Sequence, residues 1–255
     1  MKFIFFYILI SIAAKSSQAD LIPNEIHPLQ PKTGSSGSHV PQINCLSWRL
    51  AVETNNIQDW TLVPLQCEDY VGHYMLGKQY RDDCYNIVAA AIQYAKSLKI
   101  GKDVWVFDID ETTLSNLPYY ARSDVAFGSI KYNATKFDEW TREGKAPTVP
   151  ATLFLYNTLL SMGIKPAHLE VSIYSYEALA FSVFNGLPEI FVVVGTYRGV
   201  NDTGSSMKYK SRKRAELVKD GYRIVGNIGD QWSDLLGDYV GQRTFKLPDP
   251  MYYIA

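Results

Sequence analysis

Apolar and polar positions change rhythm several times along the chain. Between Glu68 and Leu98, Tyr70, Tyr74, Tyr80, Cys84, Ile87, Ala91, Tyr94 and Leu98 recur largely at helical spacing, which predicts a helix with an inward aromatic stripe. Gly72 and Gly77 mark a break near its start, and Lys99-Ile100-Gly101-Lys102 supplies a glycine stop with cations in the last turn. Next comes Val104-Trp105-Val106-Phe107, rich in β-formers and short enough for a buried strand. Pro150 to Gly163 reads as an amphipathic helix, with Pro in its first turn and Leu153, Tyr156, Leu159, Leu160 and Met162 apolar. Alternation at Leu169, Val171 and Ile173 predicts a strand over 168–175, and Ile190 to Val194 a fully buried one over 189–194. A helix with a basic face follows over 206–218, then a strand over 222–225, a short helix over 231–236 and an edge strand over 243–247. Strands alternating with helices predict an α/β fold with a mostly parallel sheet.

Two regions fall outside this rhythm. Residues 117–149 are rich in aromatics and charges (Tyr119, Tyr120, Phe127, Tyr132, Phe137, Trp140) and too long for a simple turn. At the amino terminus, Met1-Lys2, the apolar run Phe3 to Ala14 and Ser17-Gln18-Ala19 have the three parts of a secretory signal over 1–19. That run is too short to span a bilayer comfortably, and no later stretch is long enough, so no membrane segment is expected in the mature form. Residues 20–44, with several prolines and the tract Thr33 to Ser38, read as a flexible leader. The remaining 45–255 suffice for one domain with a real core.

Charge narrows the picture. The 255-residue chain has a formal net charge of −1, and no basic block of nucleic-acid type stands out, so no nucleic-acid partner is expected. Behind a signal segment, two of the three cysteines, Cys45, Cys67 and Cys84, are expected to pair. Spacing does not fix the connectivity; Cys45–Cys67 is favoured because that region has little helical signal and gains most from a staple. Asn133-Ala134-Thr135 and Asn201-Asp202-Thr203 are glycosylation sequons.

The chemistry concentrates where two strands end. Asp108 and Asp110 follow the first apolar run, with Thr112 two positions on. Residues i and i+2 of a strand share a face, so both carboxylates would enter one crevice, of the kind found at the carboxyl ends of α/β strands. Like charges that close need a cation, a shared proton or donated hydrogen bonds. An isolated D-x-D triplet is usually a solvated turn. A second strand, however, also ends in acids, Gly229-Asp230 with Asp234 four positions on. Gly229 is expected to allow a tight turn there. Alone, Asp230 would pass as a helix N-terminal acid. Were the compensating group a metal, oxygen-only ligands with water would favour Mg²⁺ over zinc or copper.

Strand, D-x-D-x-T and Leu114 resemble the nucleophile loop of the haloacid dehalogenase superfamily. Longer runs resemble its class IIIB acid phosphatases, the plant acid phosphatase and vegetative storage protein family: Cys45-Leu-Ser-Trp48-Arg49, Cys67 to Tyr80, Asp108 to Tyr120, Gly221 to Leu236 and Lys246-Leu-Pro-Asp-Pro-Met-Tyr-Tyr253. The resemblance implies a Rossmann-like, mostly parallel sheet with a small cap inserted after the first strand, about 117–148. It implies that Asp108 attacks phosphorus and Asp110 serves as general acid and base. Thr112 would bind phosphate or shape the loop. Lys210, in Lys210-Ser211-Arg212-Lys213-Arg214, would hold phosphate; most of the other basic residues read more simply as a solvated helix face. Mg²⁺ would be held by Asp108, Asp110 (through its carbonyl) and Asp230, with Asp234 in support. The implied substrate is a small phosphomonoester, the implied location extracellular or vacuolar, and family members are often homodimers.

One departure stands out. After Gly163-Ile164-Lys165-Pro166 the family has a strand ending in a Ser or Thr that donates to the phosphoryl group, whereas residues 167–197 do not look like the family. Ser172 and Ser175 are the nearby hydroxyls. A shifted reading frame across the patch would also produce it, and sequencing the transcript distinguishes the two. The implied alternative is a storage glycoprotein with weak or no phosphatase activity.

Overall fold

The computed structural model describes residues 44–99, 101–168, 192–193 and 204–254. The signal segment, nearly all of the leader, the Asn201 sequon and both Ser172 and Ser175 lie outside the described residues. Five parallel strands form one sheet in the order β3-β2-β1-β4-β5: β1 (Asp103–Phe107), β2 (Lys165–His168), β3 (Val192–Val193), β4 (Arg223–Gly229) and β5 (Thr244–Lys246). The chain leaves β1 outward through β2 and β3, then returns to the other side of β1 for β4. Strand order reverses between β1 and β4, which opens a crevice at their carboxyl ends.

β1 is buried throughout, and its alternation feeds two cores. Trp105 and Phe107 join the larger one, with Ala91, Ile92 and Ala95 of one helix and Leu155, Tyr156 and Leu159 of another. Those helices are α3 (Lys78–Ala95) and α6 (Pro150–Ser161). Val104 and Val106 face the opposite side with Ala167, Ile224 and Leu217, the last on Ser206–Lys219, which is α7 once α1, α2, α4 and α5 are placed. These are α1 (Cys45–Glu53), α2 (Glu68–Leu76), α4 (Leu117–Tyr120) and α5 (Ala134–Arg142). A last short helix, α8 (Trp232–Leu235), follows β4. None of the described helices is long and apolar enough to cross a membrane.

Several boundaries differ from the sequence reading. The 45–67 region, expected to have little helix, opens with α1, whose first turn is capped by Asn44 Oδ1 accepting from the Leu46 and Ser47 amides. Only Trp48 and Val52 of α1 are buried, too short a stripe to register as periodicity. A disulfide joins Cys45 to Cys67 with Cα atoms 5.4 Å apart, and Cys84 is a buried free thiol. α3 stops at Ala95, and Gly101 does not cap it; its amide donates to the Asp103 carboxylate at 2.9 Å. β2 starts at Lys165 and includes Pro166, ahead of the expected 168–175. β4 runs through Gly226–Gly229, a stretch expected to be loop.

Candidate active site

Asp108 leaves the top of β1 with its amide donating to the Ile228 carbonyl of β4 at 3.0 Å. The chain then folds tightly: the Thr113 and Leu114 amides both donate to the Ile109 carbonyl, at 2.9 and 2.8 Å. Glu111 takes a φ of 50° to make this turn, a conformation L-residues seldom adopt. Thr113 Oγ1 closes the loop on the Asp108 carbonyl at 2.7 Å. Thr112 is fully buried; its hydroxyl donates to the Asp230 carboxylate at 3.0 Å, and its carbonyl accepts from Thr152 Oγ1. Thr112 thereby ties the loop after β1 to Asp230 and to α6.

From β4 the chain brings Asp230 and Asp234. Carboxylate oxygens of Asp108, Asp230 and Asp234 all lie within 4.8 Å of one another, and all three residues are buried. Asp234, expected in support of the metal, thus lies beside Asp108 and Asp230. Asp110 keeps its carboxylate apart, half-buried and accepting from Asn116 Nδ2 at 2.8 Å. Gly229 works differently from expectation. It lies in β4, and any Cβ there would collide with the Asp234 side chain, so its value is close approach.

Lys210 of α7 is the cation of the cluster. Its Nζ donates to Asp108 at 2.5 Å and also to Asp234. Arg214, one turn on, is fully buried and does not belong to a solvated face. Its guanidinium clamps the loop after β4, donating to the carbonyls of Asp234 and Leu236 at 2.7 Å each and of Asp238 at 2.9 Å. A planar fork suits several carbonyls at once, and a compact ammonium suits a point between carboxylates.

A second layer went unassigned in the sequence. Glu111 accepts from the Asn116 amide at 2.5 Å and from Tyr252 Oη at 2.7 Å. Gln231 Nε2 bridges Asp230 and Asp249 at 2.8 and 2.9 Å, and Gln231 Oε1 accepts from the Ile254 amide at 3.0 Å. Residues 249–254 thus run back beneath the acids. Tyr252 also stacks on Tyr120 of α4, ring centres 5.3 Å apart. Asp249 and Tyr252 fall within the Lys246–Tyr253 run, whose spacing carried no hint of a site. Asn133 is exposed and caps α5 with its Oδ1, accepting from the Lys136 amide at 3.1 Å.

Charge is out of balance here. Burial, and next the neighbouring Asp234 charge, push the Asp108 carboxyl well above its ordinary range. Asp110 is raised by burial, and Asp230 is pushed up to about 6 by burial and then by Asp234. Burial and then the Asp110 charge also raise Glu111. Burial alone would lower the Lys210 ammonium, but Asp108 and Asp234 together carry it upward. Three buried carboxylates facing one ammonium leave negative charge uncompensated, and their donors are all oxygen. The set fits a hard divalent cation, with water completing its shell.

A family model described as HAD superfamily, subfamily IIIB (Acid phosphatase), matches residues 32–169 and 196–255; the gap falls inside the atypical 167–197 stretch. Among similar proteins, "Acid phosphatase 1" of Solanum lycopersicum is 41% identical over 225 residues, covering 84% of each chain. "Stem 28 kDa glycoprotein" of Glycine max is 38% identical over 100% of this chain and 99% of its own. "Vegetative storage protein 2" of Arabidopsis thaliana is 40% identical over 83% and 80%. The class C acid phosphatase from Bacillus anthracis has a similar fold, with a TM-score of 0.56 at 21% identity over 73% of this chain and 85% of that one.

Proposed function

Because the chain belongs to the HAD superfamily, subfamily IIIB (acid phosphatase), we propose that it hydrolyses small phosphomonoesters through a phosphoryl group carried on Asp108. The observation that carries this reading is the Asp108–Asp230–Asp234 trio beside the Lys210 ammonium. Asp108 attacks phosphorus as the ester P–O bond breaks, and Asp110 gives its proton to the departing oxygen. Asp110 then takes a proton from water as that water attacks the aspartyl-phosphate, releasing inorganic phosphate and restoring Asp108. Lys210 holds the nucleophile and the phosphoryl oxygens by charge, while Thr112 fixes Asp230 and Arg214 fixes the loop bearing Asp234. A divalent cation, which we take to be Mg²⁺, would be held by Asp108 and Asp230, with the Asp110 carbonyl and Asp234 beside them. When bound it would neutralise phosphate charge and align the reacting oxygens.

The signal-like amino terminus and the exposed Asn133 sequon support a secreted or vacuolar glycoprotein. A second reading, a storage protein with a feeble site, is favoured by one observation: the family match breaks where the phosphate-donating hydroxyl belongs. Losing such a donor costs about 3–4 kcal/mol of transition-state stabilisation. Hydrolysis of an aryl phosphate at mildly acidic pH with Mg²⁺, wild type against Asp108→Asn, separates the readings. The catalytic reading expects activity in the wild type alone; equal rates overturn it.

A further inference from the structure

Asn116 is a buried node whose side chain is fully committed. Its Oδ1 accepts from Trp140 Nε1 at 2.8 Å, and its Nδ2 donates to Asp110 Oδ1 at 2.8 Å and to Glu111 Oε2 at 3.3 Å. Both partners lie within the protein, Asn116 at 2% exposure and Trp140 at 7%. An indole nitrogen can only donate. It therefore fixes which end of the amide is oxygen, and so keeps the amide's N–H groups facing the two carboxylates. Trp140 belongs to α5, inside the insertion between β1 and α6, and its ring stacks at 27° on Tyr119 of α4 with centres 6.4 Å apart. Without the indole N–H the buried amide oxygen loses its donor, and the amide that donates to Asp110 is no longer held from both ends.

We propose that Trp140 and Asn116 form a positioning pair that aims the Asp110 carboxyl at the leaving oxygen, tying the inserted segment to the proton-transfer step. This inference rests on the phosphatase reading above. Neither residue touches substrate; the pair acts through Asp110. Its signature is leaving-group dependence. An alkyl phosphate needs a proton to release its alcohol, whereas 4-nitrophenyl phosphate releases a stable anion and needs little help.

The test compares kcat/KM on glycerol 2-phosphate and 4-nitrophenyl phosphate for the full chain with Mg²⁺, in wild type, Trp140→Phe and, separately, Asn116→Ser. Trp140→Phe keeps an aromatic ring in place and removes the donor together with the indole's five-membered ring. A fall of about tenfold on the alkyl ester, with the aryl ester within about twofold, is expected, and a larger but equally selective fall for Asn116→Ser. Equal losses on both esters, as a purely structural role would give, overturn the pairing while leaving the phosphatase reading in place. A wild type inactive on both esters overturns that reading and this inference together.

Discussion

The two ends of the β1–β4 ladder use the same ingredients for opposite purposes. At the lower end Asp103 and Arg223 face each other in register. The guanidinium grips the carboxylate twice, at 2.7 and 2.9 Å, and the Gly101 amide adds a third bond. One acid meets one half-exposed cation, and those Arg223 hydrogen bonds hold the Asp103 carboxyl below its usual range. At the upper end Lys210 answers Asp108 and Asp234 at once, with Asp230 beside them, and the Asp108 and Asp230 carboxyls rise. Charge is spent on holding strands together below and left unbalanced above. What separates a structural ion pair from a reactive cluster here is the number of carboxylates per cation and the cation's distance from water.

Breaking the upper end should have the larger effects. Asp108→Asn is expected to lower aryl phosphate hydrolysis by about 10⁴-fold or more, as loss of a nucleophile does, with the far-UV circular dichroism unchanged. Lys210→Ala should lower kcat/KM by about 10²–10³-fold. It should also cost about 3 kcal/mol of stability in chelator by stranding buried carboxylates. Urea melts with and without millimolar Mg²⁺ check the cause: the cation should restore part of the lost stability, and no recovery would mean that the trio does not bind it. At the lower end, Asp103→Asn should leave activity alone and cost about 1 kcal/mol, as a pair whose cation is half-exposed does. Because the folded-state pKa of Asp103 is depressed, the stability it contributes is full above the ordinary carboxylate pKa, about 4. It is lost as the pH falls through the folded value, so melting curves of wild type and Asp103→Asn should converge at acid pH. The Lys78–Asp82 pair, with Lys78 80% exposed, sets the floor: Lys78→Ala should shift the melt by less than about 0.5 kcal/mol.

The same contrast explains what could be read from sequence. The sheet and most helices announce themselves because β1, α6 and α7 each carry enough apolar positions to show their period. Asp108, Asp110, Asp230 and Asp234 are visible because each follows a strand end. Arg214 is not, since in sequence it continues a basic run that looks solvated; only the fold supplies the carbonyls of Asp234, Leu236 and Asp238 around it. Glu111, Asn116, Trp140 and Tyr252 are likewise silent, because their partners come from other segments and no local spacing encodes them. α1 escapes notice because it buries only two residues.

Residues 249–254 carry a consequence for biosynthesis. Tyr252 reaches Glu111 across 141 positions of chain, so at about 5–20 residues per second the acidic loop is synthesised roughly 7–30 s before its tyrosine partner. A nascent chain halted after β5 would possess every acid of the trio but lack the segment that braces them. On the function proposed above, cation affinity should therefore mature only once residues 249–254 have been made.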